Sequence, residues 1–216
     1  MKMSRRRFIA LVGVVAVGIF GIGVYLYQPA VEETAKVAPV ANAADLVRHH
    51  SPIFGPKDAP VTIVEFFDPA CESCRAFHPV VKDIMATYPE EVRVVLRYAA
   101  FHPPSEQAIR LLEAARLQGK LEPVLERLLE TQSSWAPHGR TPESVWNLLN
   151  GTGLDITRAQ RESRRPYIVG VLNQDAADIK SFGVKGTPTF FVNGKPLLSF
   201  GENQLRELVR SEVEAL

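Results

Sequence analysis

Cys71 and Cys74 are the only cysteines in the chain, and just Glu72 and Ser73 stand between them. On a helix, a three-residue offset puts two thiols one turn apart on one face, close enough to form a small, reversible disulfide ring. The pair follows the apolar run Val61–Phe67 and the turn signal Asp68-Pro69, so it falls where a strand ends and a helix begins. At that place the unpaired backbone N–H groups and the helix dipole stabilise an anion. A thiolate on Cys71 is such an anion, and its pKa is expected below the free value of about 8.5. Redox exchange is the first reading of this site. Half of a copper or zinc site is the second, and it requires histidines such as His78 or His102 from elsewhere in the chain. A structural staple comes last, because a ring this small removes little chain entropy. His49-His50 has no third ligand at close spacing and reads as an exposed pair.

The elements that must position the cysteines are legible from periodicity. Val61–Phe67 is β-branched and aromatic and mostly apolar on both faces, as a buried central strand requires. A helical pattern runs from about Glu72 to Tyr88, and Val92–Tyr98 is a second strand. Ala108, Ile109, Leu111, Leu112 and Ala115 keep helical spacing, as do Leu121, Val124, Leu125, Leu128 and Leu129. Thr141-Pro142-Glu143 reads as a further helix start, with Thr141 as N-cap. Trp135, His138 and Trp146 read as packing or loop residues of this block, and Arg158, Arg161, Arg164 and Arg165 as a solvated helix face. Ile168, Val171, Leu172, Ile179 and Phe182 mark a helix that opens at Pro166 and stops at Gly183. Asn193-Gly194 between apolar runs signals a hairpin, and Leu205, Leu208, Val209 and Val213 a closing helix. Strands alternating with helices, with a hairpin at the end, imply an α/β fold with a mixed sheet.

The 216 residues are 46% apolar and 23% charged, proportions that exclude a disordered chain and a multi-span membrane protein. The net charge of +1 gives no nucleic-acid footprint. It conceals a basic N-terminus, where Lys2, Arg5, Arg6 and Arg7 precede an uncharged run from Phe8 to Tyr27. Such a run is long enough to cross a bilayer, and the arginines should stay cytoplasmic. Residues 1–28 are therefore expected to form a transmembrane anchor or a cleaved export signal, and residues 29–50 a linker too short to be a dimerisation domain.

Two strings carry a family resemblance. Val64-Glu65-Phe66-Phe67-Asp68-Pro69-Ala70-Cys71-Glu72-Ser73-Cys74 and, far downstream, Val184-Lys185-Gly186-Thr187-Pro188-Thr189-Phe190-Phe191-Val192-Asn193-Gly194 together closely resemble the DsbA-like thiol–disulfide oxidoreductases of the thioredoxin superfamily. The resemblance implies a thioredoxin-like domain over residues 51–216 with an inserted helical domain at about 102–166. It implies that Cys71 is the exposed nucleophile, Cys74 the buried resolving thiol, and Thr187-Pro188 a cis-proline loop that offers backbone to substrate. It makes Glu65 a buried acid that assists proton transfer to Cys74. No metal and no bound cofactor are implied beyond the Cys71–Cys74 disulfide itself.

The chain departs from the strongly oxidising members, which commonly carry Pro-His between the cysteines. Ser73 offers one hydrogen bond and Glu72 opposes a thiolate, so a less acidic Cys71 and a less oxidising pair are expected. The implied partners are cysteine-containing exported proteins and a membrane redox partner that reoxidises the pair. The implied location is the periplasmic side of a bacterial inner membrane, and the implied state a monomer. Reductase or isomerase activity, or a membrane-tethered copper- or zinc-binding protein, are the alternatives.

Overall fold

The computed structural model describes residues 39–216. The apolar run Phe8–Tyr27 lies outside the described residues, and among those described no helix is long and apolar enough to cross a membrane.

Five strands form one sheet: β1 (Ile53–Phe54), β2 (Val61–Phe67), β3 (Val92–Tyr98), β4 (Thr189–Val192) and β5 (Lys195–Pro196), in the order β1-β3-β2-β4-β5. β2 and β3 are parallel and every other pair is antiparallel. Seven helices accompany them in the described residues: α1 (Glu72–Thr87), α2 (Ser105–Arg116), α3 (Leu121–Glu130), α4 (Gln132–Trp135), α5 (Ile156–Glu162), α6 (Pro166–Ser181) and α7 (Glu202–Val213). Helices α2 to α5 lie between β3 and α6, where the inserted helical block is expected.

The two faces of β2 enter different cores, as its period of two requires. Val61 and Ile63 pack with α1 and α7, while Phe67 joins the core beneath the inserted helices. Val64 and Phe66 pack on the opposite face with Val95 and Phe191. β2 and β3 are covered on both faces, which explains their mostly apolar character, with Glu65 and Arg97 as buried charged exceptions. The closing hairpin turns through Asn193 (φ 47°) and Gly194 (φ 81°), both left-handed as a two-residue turn demands. A Cβ on Gly194 would lie 2.8 Å from the Ala43 side chain, so packing requires glycine there as well.

Three readings need correction. Residues 39–50 do not behave as a linker. Val40 N–H donates to the Gly194 carbonyl at 2.9 Å, a 3-10 turn spans Ala43–Leu46, and Leu46 is buried against Val64 and Phe66. His50 is not exposed either: it is buried, with Nε2 2.9 Å from Asp175 Oδ1. The partners of this segment lie on β2, on α6 and in the closing hairpin, beyond what local periodicity can show. Thr141 caps no helix. Glu143 N–H bonds back to the Ser134 carbonyl at 2.9 Å, and only a 3-10 turn forms, at Val145–Leu148.

Segment and sheet are joined by a buried charge network. Arg97, fully buried on β3, pairs with Asp175 and Asp178 of α6 and donates to the carbonyls of Asp45 and Leu46. Arg48 adds two bonds to Asp178 at 2.8 Å. Burial would raise the Asp178 carboxyl, but the bonds from Arg48 and Arg97 override it and hold its pKa at about 2.

Candidate active site

β2 delivers the chain into a turn, Asp68 to Cys71, closed by the Cys71 N–H on the Asp68 carbonyl at 3.0 Å. Cys71 then serves as N-cap of α1 with extended backbone (φ −79°, ψ 123°). Its thiol donates to the Thr187 carbonyl at 3.2 Å, and the Thr187–Pro188 peptide bond is cis. The fold thus brings Cys71, Cys74, Thr187 and Pro188 to one place.

The two sulfurs occupy different environments. Cys71 is 8% exposed and Cys74 0%, so an incoming sulfur can approach only the first. Both are free thiols. The Cys74 thiol, the Thr187 side chain and the backbone N–H groups of Cys74 and Ser73 favour a Cys71 anion, and against the cost of burial they lower its pKa to about 5. Burial pushes Cys74 the other way, well above the ordinary thiol range, and both its bond with Cys71 and the nearby Glu65 reinforce that direction. The Asp68 N–H donates to Cys74 Sγ at 3.4 Å. Ser73 contributes through its backbone N–H, and Glu72 is exposed, with its carboxylate 3.7 Å from the exposed His138 ring.

Glu65 sits on β2 between Leu96 of β3 and Phe190 of β4. It is buried, and its Oε1 has no hydrogen-bond partner. Burial is the larger cause, and the Cys71 charge the smaller, of a pKa raised to about 8. The residue is therefore protonated at neutral pH. It lines a cavity of about 130 Å³ together with His78 and Lys82 of α1 and Glu126 of α3. Lys82 is half exposed, so this cavity links the buried carboxyl to a charged surface.

Two further residues shape the site, and sequence reading missed both. Asp68 is fully buried and accepts from Ala70 N–H and Ser105 Oγ on one oxygen, and from Phe101 N–H, His102 N–H and His102 Nδ1 on the other. It ties the catalytic turn to the start of α2. Its position in Asp68-Pro69 reads as a turn signal, and that signal hides the larger role. Gln132, on α4, donates from Nε2 to the carbonyls of Pro69 at 2.8 Å and Cys71 at 3.0 Å. Nothing in its local sequence points to this contact. His78 and His102 are engaged by Glu126 and Asp68, and among the described residues no group of three His, Cys, Asp or Glu side chains is placed to hold a metal ion.

The sequence profile described as Thioredoxin matches residues 48–211. A crystal structure of a thioredoxin-like oxidoreductase from Silicibacter pomeroyi DSS-3 is 28% identical, with a TM-score of 0.68 over 81% of this chain and 99% of that one. The thiol-disulfide exchange protein alpha-DsbA2 from Wolbachia pipientis shares the fold at 18% identity, with a TM-score of 0.60 over 77% of this chain and 89% of that one. Among curated proteins, the Na(+)/H(+) antiporter NhaA of Herminiimonas arsenicoxydans is 32% identical over 145 residues, 67% of this chain but 22% of the antiporter. The chain thus spans about a fifth of the length of the curated relatives it matches. With its profile match over residues 48–211 and its fold, the chain belongs to the thioredoxin family.

Proposed function

We propose that the protein exchanges disulfides with cysteine-containing exported proteins, working chiefly as an oxidant. The observation that carries this reading is the opposed chemistry of the two sulfurs: one slightly open to solvent and acidic, the other sealed and not. In the oxidant direction a substrate thiolate attacks Cys71 Sγ of the Cys71–Cys74 disulfide. The new bond joins substrate to Cys71, and Cys74 departs with the electron pair. Its thiolate is buried and strongly disfavoured, so it takes a proton, and protonated Glu65 is the nearby acid able to supply one. A second substrate thiolate then attacks the substrate sulfur of the mixed disulfide, and Cys71 leaves as a thiolate. A low pKa makes it a good leaving group and stabilises the reduced enzyme, which is what makes a dithiol pair oxidising. The substrate is oxidised by two electrons and the enzyme reduced by two, so a membrane partner must restore the disulfide.

The thiolate at about pKa 5 supports a stronger oxidant than Glu72-Ser73 alone implies, though a weaker one than the relatives near about 3.5. The Thr187 carbonyl and Pro188 border Cys71 and supply backbone that an extended substrate can meet. Location on the outer side of an inner membrane, and membrane attachment or signal cleavage, rest on the basic N-terminus and the apolar run behind it.

The test is the reduction potential of the Cys71–Cys74 pair, with oxidative refolding of a reduced substrate and insulin reduction as activity assays. A potential above that of glutathione, and refolding lost in Cys71→Ser and in Cys74→Ser, are expected. If neither substitution changes either activity, the redox reading fails.

A further inference from the structure

Gln132 is 1% exposed and belongs to the inserted helices, yet its amide reaches the backbone of the catalytic cysteine. Both acceptors of Nε2 are carbonyl oxygens, so the orientation of the amide is fixed by chemistry: turned over, Oε1 would face two other oxygens. Trp135 anchors this short helix, its buried indole N–H donating to the Leu128 carbonyl at 2.8 Å. The donor is therefore held by packing.

We propose that Gln132 is a positioning residue for thiol–disulfide exchange, fixing through the carbonyls of Pro69 and Cys71 the direction in which the Cys71 sulfur faces. The Cys71 carbonyl already accepts the first helical bond, from Arg75 N–H at 3.1 Å, and Gln132 is its second donor. Together the two bonds hold the peptide plane between Cys71 and Glu72. The N–H groups that favour the Cys71 anion belong to Ser73 and Cys74, immediately beyond that plane. Remove the Gln132 donor and the Pro69 carbonyl loses its Gln132 partner, while the Cys71 carbonyl is left with Arg75 N–H alone. The plane then turns to recover a partner, and Sγ moves out of line with those N–H groups and with the Thr187 carbonyl. The inserted helices thereby tune the nucleophile without contributing an atom to the reaction.

The inference rests on the redox reading of the site, but its test needs neither substrate nor redox partner. Gln132→Met keeps the length and removes both donors; Gln132→Glu keeps the shape and donates at most one bond, and only while protonated. The thiolate absorbance of the reduced full chain is titrated against pH, alongside the rate of iodoacetamide alkylation at pH 5.5. In Gln132→Met the midpoint is expected to rise by about one unit, with alkylation slowed roughly threefold or more. Gln132→Glu is expected to fall between it and the parent. A natively folded Gln132→Met with an unmoved midpoint overturns the proposal. So does failure of both variants to fold, which would make the contact purely structural. A parent chain inactive in exchange would sink the redox reading, whereas an unmoved Gln132→Met midpoint beside a parent active in exchange would sink this proposal alone.

Discussion

Cys71 and Thr187 lie 116 residues apart in sequence, and one hydrogen bond joins them, from the thiol to the carbonyl oxygen. Nucleophile and cis-proline loop are thus held together before any substrate arrives. When Cys71 ionises that bond loses its proton, and the backbone N–H groups of Ser73 and Cys74 face the charge instead. The Cys71 thiolate should therefore appear with a midpoint near pH 5, read by ultraviolet absorbance of the reduced protein. Alkylation should be fast and flat above pH 6 and fall tenfold per unit below 5. A midpoint at the ordinary thiol value would remove the leaving-group argument.

The sign of the accompanying stability change follows from linkage. The folded pKa of Cys71 is depressed, so it stabilises the reduced fold fully above the unfolded thiol pKa, and that stabilisation disappears as pH falls through about 5. Denaturant titrations of the reduced protein across that range should show it, and Cys71→Ser should abolish it.

Glu65 has the opposite sign. Its folded pKa is raised to about 8 from 4.5, so the unfolded chain gives up this proton first and the folded state weakens as pH climbs between those values. Glu65→Gln should remove the dependence and be more stable than the parent at pH 7, by on the order of 2–4 kcal/mol. Its exchange with substrate should slow at the step that protonates Cys74, with the Cys71 midpoint unmoved, because Glu65 is already neutral where Cys71 titrates. An unchanged stability profile between pH 5 and 8 would mean that Glu65 is already ionised.

Asp68→Ala strips the carboxylate from five donors at the start of α2 and in the catalytic turn. The Ala70 N–H and the Ser105 hydroxyl are buried donors left unpaired, and a loss of about 2–4 kcal/mol by chemical denaturation is expected. A cost under about 0.5 kcal/mol would mean that solvent replaces the carboxylate there.

Arg97→Met leaves Asp175 and Asp178 buried without their shared cation. Breaking such a network from one side costs about 3–5 kcal/mol, and the Cys71 titration should not move, because Arg97 lies on the other face of the sheet from Glu65 and α1. A shifted Cys71 midpoint would show that the network reaches the thiols.

What the sequence disclosed is set by how local each cause is. β2 and β3 fall at the positions their apolar runs mark, and the hairpin stands where Asn193-Gly194 places it, because strand burial and turn chemistry act within a few residues. Cys71 and Cys74 are legible for the same reason. Gln132 and His50 were not, since each acquires its role from partners far away along the chain, Cys71 for one and Asp175 for the other. Thr141-Pro142 misled: the local helix signal is sound, but Glu143 finds a better acceptor on Ser134.

The pairing of β2 with both β3 and β4 bears on the order of synthesis. β3 follows β2 at once, while β4 and Thr187 arrive more than a hundred residues later. Through that interval the nascent chain holds a long strand with one open edge and a nucleophilic cysteine with no carbonyl over it. Contacts of such separation form slowly, and an open edge invites wrong pairing. A newborn molecule is therefore most prone, just before its own C-terminal hairpin is made, to attack a foreign disulfide through Cys71 and hold one of its sulfurs in a mixed disulfide while the other leaves as a thiolate.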